Sequence, residues 1–305
     1  VEQFRNDQIG KSVTLEFQME DHSVKAIQLE YDKHNHVITD ELSTKTDFDT
    51  RLYNSNTYTV APLNEDILYI EIRSFASSGM DDTFTNIILP QLAEYRGCIL
   101  DVRQNPGGNS YYGDVILQTL SNVGVPPITV FNSTFYSMMV PYGSDNSNYQ
   151  ADDRTKSMAQ KMMKHAYYGI DQDCSEYALN HADHWDTLEV PMILSMPVIV
   201  LTSDQTGSAA DTFAAKAKVM ENFTVMGLTT HGATGNNHSE KLPDGSSYSL
   251  SVDNVYSPEG YCIWNHGAIP DIEVWQTIED LKNREDTVLN TAVEVLQETL
   301  RKAES

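Results

Sequence analysis

Apolar and polar positions alternate along residues 9–31 in two runs separated by the polar turn Glu20-Asp21-His22-Ser23, a pattern that predicts a β-hairpin. Two strands alone are marginal in water. Residues 1–32 therefore read as the closing part of a β-rich domain whose first half lies upstream, and 33–64, rich in Asp, Asn, Thr and Ser, as a connector. From residue 65 the period changes. Strand-like runs at 67–72, 97–102, 197–202 and 224–227 alternate with helix-spaced apolar residues at 80–95, 111–122 and 208–220, and 250–256 adds a strand. Alternating strands and helices predict an α/β layered domain over 65–276 with a largely parallel sheet. The polar, Tyr-rich and Met-rich stretch 132–189 breaks that rhythm and reads as a helical insertion. One amphipathic helix is predicted over 278–303, with Leu281, Val288, Leu289, Ala292, Val295, Leu296 and Leu300 on its apolar stripe, so that 277–305 forms a C-terminal helical segment.

Composition narrows the partners. The 305 residues are 40% hydrophobic and 21% charged, as in an ordinary globular chain. Against 44 Asp and Glu stand 20 Lys and Arg, and a net charge of −24 repels phosphate backbones and anionic lipid. Nucleic acid and membrane surfaces are thereby set aside as partners. The longest apolar stretch, 190–201, is interrupted by Pro191, Ser195 and Pro197 and falls short of the about 20 residues that span a bilayer. The start, Val1-Glu2-Gln3-Phe4-Arg5, has neither Met nor a basic-then-apolar leader, and reads as a mature or truncated piece of a longer precursor. Cys98, Cys174 and Cys262 form no disulfide framework. Cys174 with His181 and His184 offers too few ligands for a zinc site, so neither a metal nor an organic cofactor is expected. Asn132, Asn222 and Asn237 each open an Asn-x-Ser/Thr triplet.

Three segments carry chemistry. Asp101-Val102-Arg103-Gln104-Asn105-Pro106-Gly107-Gly108-Asn109 follows an apolar strand and precedes a helix. Paired glycines there present bare N–H groups beside the positive end of a helix, a corner fit for an anion, although Asn-Pro-Gly-Gly is also a common plain turn. In Thr206-Gly207-Ser208-Ala209-Ala210-Asp211, a second strand ends and Ser208 opens a helix among small residues. Such a serine is either an N-cap or a nucleophile, with the Ala209 N–H facing the same space as those of Gly107 and Gly108. The third is the loop Gly227 to Gly235, followed by Asp244-Gly245 and by Gly267-Ala268-Ile269-Pro270-Asp271.

In their order and spacing these motifs resemble the tail-specific, or C-terminal-processing, serine peptidases, a family that includes the core of the tricorn protease. The resemblance runs from about Asp66 to Val274. It implies a crotonase/ClpP-like α/β core, Ser208 as nucleophile, and an oxyanion hole from the amides of Ala209 and the Gly107–Gly108 pair. It also implies a peptide or protein substrate, an exported location, and residues 1–32 as the end of a PDZ-like domain.

The departures concern the base. Where the processing branch carries a lysine, this chain has Ala233; where the tricorn-like branch has a glutamate before the Gly-x-x-Pro-Asp motif, it has Trp264. That branch takes its histidine from a segment ahead of the PDZ domain. A serine hydroxyl needs a base to attack. Either an upstream histidine supplies it, or His231 or His266 substitutes locally, or the chain is a non-catalytic peptide-binding scaffold on a peptidase fold.

Overall fold

The computed structural model describes residues 12–18, 24–30, 48, 50–121, 123–132, 185–235, 237–242, 244–251 and 253–303. The chain divides into two compact units, Val1–Asp47 with Gln276–Thr287, and Phe48–Trp275 with Val288–Ser305. In the first unit β1 (Ser12–Gln18) and β2 (Val24–Glu30) form the antiparallel hairpin that the alternation predicts, in the register Ser12 to Glu30. The same unit holds α5 (Ile278–Asn283), opened by a reciprocal cap: the Thr277 N–H donates to Asp280 Oδ2 and the Asp280 N–H to Thr277 Oγ1.

The second unit is built on a seven-stranded sheet. Its strands are β3 (Tyr53–Asn54), β4 (Tyr58–Pro62), β5 (Ile67–Ile72), β6 (Gly97–Asp101), β8 (Val198–Thr202), β9 (Phe223–Gly227) and β13 (Ile272–Glu273). They lie in the order β13-β9-β8-β6-β5-β4-β3, parallel from β13 to β5, with β4 and β3 antiparallel at the edge. The fold is thus α/β with a parallel-rich sheet.

The apolar runs are continuous because both faces are covered. On one face Leu68, Ile70, Leu100 and Val200 pack with Phe84, Leu117 and Phe213. These come from the helical segment of residues 80–92, from α3 (Ser110–Thr119) and from α4 (Ala209–Lys218). On the other face Ile67, Ile99, Ile199 and Met226 meet Leu289, Ala292, Leu296 and Leu300 of α6 (Thr287–Lys302). Two small antiparallel pairs complete the unit: β7 (Thr129–Asn132) with β12 (Asp253–Tyr256), and β10 (Asn237–Lys241) with β11 (Ser247–Ser251).

Several expectations change. Residues 53–62, read as connector, supply β3 and β4; Tyr58, Thr59, Val60 and Ala61 are all buried, and the Tyr58 hydroxyl donates to the Met80 carbonyl. The helix expected over 80–95 is α1 (Met80–Thr83), a π-helical turn over Phe84–Ile88, and α2 (Leu89–Leu92). Pro90 has no N–H to give the turn before it, and the helix widens there. The single helix expected over 278–303 is two, because Arg284 takes a left-handed φ of 59° and the Glu285 N–H closes on the Asp280 carbonyl. The strand expected over 250–256 is the end of β11 and the whole of β12. Most of the expected insertion, with Cys174, His181 and His184, lies outside the described residues.

Candidate active site

β6 and β8 are parallel neighbours with Asp101 opposite Leu201, so the chain leaves both strands at the same edge of the sheet. Ligands of open α/β sheets collect at that edge, beyond the carboxyl ends of the strands. The two exit loops are tied together. Ser203 Oγ donates to the Arg103 carbonyl at 2.6 Å, Thr206 Oγ1 to that of Val102 at 2.9 Å, and the Gly207 N–H to that of Asn105 at 3.0 Å. Asn105, fully buried, adds the loop after β5: its Nδ2 donates to the Ile72 carbonyl at 3.1 Å while its Oδ1 accepts the Gly107 N–H at 2.9 Å. Beside it the Phe75 N–H reaches the Gly107 carbonyl and the Asn109 N–H the Phe75 carbonyl, both at 2.8 Å.

This stitching explains the glycine doublet. Gly107 and Gly108 sit at φ 103° and 138°. A Cβ on Gly108 would lie 2.2 Å from the Phe75 carbonyl carbon, and one on Gly107 would lie 2.5 Å from Ser208 Cβ. A Cβ on Gly207, by contrast, would make only ordinary contacts from 3.7 Å outward. Because Asn105 takes the Gly107 amide, the Gly108 N–H is the one of the pair with no acceptor among the described residues.

Ser208 stands at the helix-start position at φ 54° and ψ −118°, strained for a residue with a Cβ, and its hydroxyl makes no capping bond. Asn109, at the same position ahead of α3, caps conventionally by accepting the Tyr111 N–H at 3.1 Å. The Ala209 N–H, first in its helix, has no intrahelical acceptor and lies at the positive end of α4. Asp211, one turn on and fully buried, anchors the elbow from below: its Oδ1 accepts from the Thr230 hydroxyl and from the Gly232 N–H at 2.8 Å. Burial raises the Asp211 carboxyl above the usual carboxylate range, against the pull of Thr230, Gly232, the Ser208 amide and His231. Asp101, at the end of β6, behaves oppositely. Burial would raise it, but Arg103 at 2.6 Å and the Tyr69 hydroxyl at 2.7 Å hold its carboxyl below the usual range.

Ser208, Ala209 and Gly108 open into one cleft of about 440 Å³. Its wall includes a buried ion pair, Lys216 of α4 to Asp114 of α3, at 2.6 Å. This pair joins the two helices that follow Gly108 and Ser208. Of the residues singled out in the sequence, the structure thus gathers Ser208, Gly107, Gly108 and Ala209, and neither local histidine lines the cleft. His231 is exposed; its Nδ1–H donates to the Asp204 carbonyl at 2.8 Å. His266 is also exposed; its Nδ1–H donates to the Trp264 carbonyl at 2.9 Å, and its ring meets Tyr261 edge-on. Among the described residues no group of three or more His, Cys, Asp or Glu is placed to hold a metal ion. Asn222 is not free for modification, since its Nδ2 donates to the carbonyls of Leu120 and Met196 at 2.8 and 2.7 Å.

Phe75, Asn105 and the Asp114–Lys216 pair went unnoticed in the sequence, where nothing local marks them. Asp211 carried a signal: Ser-x-x-Asp ahead of an apolar helix is the spacing of a capping box. Here only the acidic half of that box is used.

A serine at a strained strand-to-helix elbow, beside backbone N–H groups that have no acceptor among the described residues, is an arrangement found in serine-type hydrolases. Residues 66–274 match the model of peptidase family S41, and the chain belongs to that family of serine-type peptidases. Solved structures of similar fold include a presumed peptidase from Parabacteroides merdae, with a TM-score of 0.56 and 20% identity over 95% of this chain and 78% of that one. Mature CPAF gives a TM-score of 0.59 at 15% identity over 96% and 68%. A presumed S41 protease from Bacteroides fragilis gives 0.50 at 14% identity over 94% and 66%. No curated protein matches the sequence.

Proposed function

We propose that the protein is a serine endopeptidase of the tail-specific, tricorn-like type. One observation carries the reading: the uncapped hydroxyl of Ser208, held at φ 54°, shares a cleft with the amides of Gly108 and Ala209. Ser208 Oγ attacks the peptide carbonyl carbon and passes its proton to the base. The carbonyl oxygen, now an anion, is held by the Gly108 and Ala209 N–H groups, each such donor commonly contributing about 3 kcal/mol. Collapse of the tetrahedral adduct breaks the C–N bond, the amine leaves with the proton, and water releases the acyl group by the same steps. No metal or organic cofactor enters. Gly107 serves as a spacer that lets the doublet press against Ser208.

The base comes from a histidine on a segment N-terminal to residue 1. In support, Ala233 stands where the processing branch has its lysine, and His231 and His266 bond elsewhere. The β1–β2 hairpin belongs, in this reading, to a PDZ-like module that presents peptide to the core, and the protein acts outside the cytoplasm. Among the described residues no helix is long and apolar enough to cross a membrane. The absence of a histidine from the described cleft also favours a second reading, a peptide-binding scaffold without catalysis.

A fluorophosphonate probe separates the two when applied to the chain extended upstream to its natural start. Labelling that disappears in Ser208→Ala supports the peptidase. An unlabelled protein that still binds peptide leaves the scaffold.

A further inference from the structure

The cleft beside Ser208 has two kinds of surface. Its walls are apolar, from Pro126, Ile128, Val130, Leu188 and Val255. Among the described residues its ionisable groups are three carboxylates, Asp114, Asp186 and Asp253, and one ammonium, that of Lys216. Lys216 is already engaged, 2.6 Å from Asp114 and only 9% exposed. With Lys216 so engaged, Asp186 adds a negative charge to the cleft.

Asp186 is the carboxylate that meets solvent. Its backbone is held firmly, since its N–H donates to the Val125 carbonyl at 3.0 Å and its carbonyl accepts the Val125 N–H at 2.7 Å. Its side chain is exposed at the cleft and close enough to Asp114 for the two charges to be felt. Burial raises the Asp114 carboxyl, Lys216 opposes that, and Asp186 adds to it. Another negative charge here is therefore unfavourable and a positive one is welcome.

Resting on the reading of this cleft as the peptide site, we propose that its subsite next to Ser208 selects a basic side chain, lysine or arginine. The aliphatic stem lies along the proline, isoleucine, valine and leucine walls, and the cationic head reaches Asp186 on the Asp114 side. Long basic side chains combine an apolar stem with a charged tip in just this way. An acidic side chain would face the exposed Asp186 carboxylate. A purely apolar one would strip water from Asp186 and return no partner, which costs free energy. The volume of about 440 Å³ lies in the range of about 300–1,000 Å³ usual for ligand clefts. The net charge of −24 draws cationic peptides toward the molecule as a whole, so the test must separate the local carboxylate from the general field.

Binding tests the proposal without requiring turnover. Blocked peptides identical except for lysine, norleucine or glutamate, placed at each position in turn, are titrated into the upstream-extended Ser208→Ala protein at low salt. Norleucine keeps the stem and lacks the charge. At one position lysine is expected to bind at least about tenfold tighter than norleucine, equivalent to about 1.4 kcal/mol, with glutamate weakest. Asp186→Asn, an exposed change, should reduce that preference to less than about threefold on the same scale. Glu189→Gln, a nearby exposed carboxylate that does not line the cleft, should leave it intact. Norleucine binding as tightly as lysine, a preference indifferent to Asp186→Asn, or no peptide binding at all overturns the proposal. Fluorophosphonate labelling of the wild type reports separately on Ser208. A labelled serine without lysine preference sinks the subsite alone, whereas a lysine preference without labelling keeps the subsite and sinks hydrolysis.

Discussion

At Gly108 the absence of a side chain is a geometric requirement. The residue sits at φ 138° with a Phe75 backbone atom 2.2 Å from where a Cβ would go. Gly108→Ala must move either Phe75 or the strand exit, and overpacking of this kind costs about 1–3 kcal/mol. We expect a lower urea midpoint and loss of fluorophosphonate labelling; normal labelling would show that the doublet does not set the geometry around Ser208. Asp101 offers a prediction in pH. Its folded carboxyl titrates below its unfolded value, so its stabilisation is complete above about pH 3.9 and is lost as the pH falls through the folded pKa. Asp101→Asn removes the carboxylate that both Arg103 and the Tyr69 hydroxyl hold and should cost about 3 kcal/mol at neutral pH. Its stability should also fall less steeply than that of the wild type in acid, and equally steep curves would show that Asp101 is not the titrating group. Ser208 and the doublet, which the structure brings side by side, were marked in the sequence by local spacing. Asn105 and Phe75 were not, because their partners Ile72, Gly107 and Asn109 act through carbonyls and amides that every residue carries.

Among elements, α6 shows how an amphipathic stripe is used. Leu289, Ala292, Leu296 and Leu300 cover the sheet face opposite the one that carries α3 and α4. Leu296→Ala should destabilise the second unit by about 2–5 kcal/mol, read from chemical denaturation. Labelling of Ser208 in the folded fraction should be unchanged, and its loss would mean that the two faces are coupled. The buried parallel strands β5, β6, β8 and β9 were plain in the sequence, since a short β-branched run covered on both sides has few other uses. β3, β10 and β13 were not. They are two to five residues long and polar or half-exposed, and they form because a neighbour offers unpaired backbone, which no local pattern records. The break at Arg284 was hidden likewise, as the residue carries no glycine or proline to announce a left-handed turn.

For the whole molecule, the net charge of −24 makes the folded state self-repelling. Screening weakens that repulsion, so Tm should rise between about 10 and about 300 mM NaCl as the Debye length shortens. A flat or falling Tm would show that local ion pairs such as Lys216–Asp114 outweigh the general field. Family membership was legible because several separated motifs occur in one order, which chance seldom supplies. Whether a base reaches Ser208 was not, for that depends on distant groups meeting in space.

The loops around Ser208 are cross-braced by main-chain carbonyls and amides, a few hydroxyls, one asparagine and the buried carboxylate of Asp211. None of these braces involves a proton acceptor for the serine. If Ser208 acts as proposed, descendants of such a chain can replace one acceptor with another, or dispense with it, while the braced glycine corner keeps its shape.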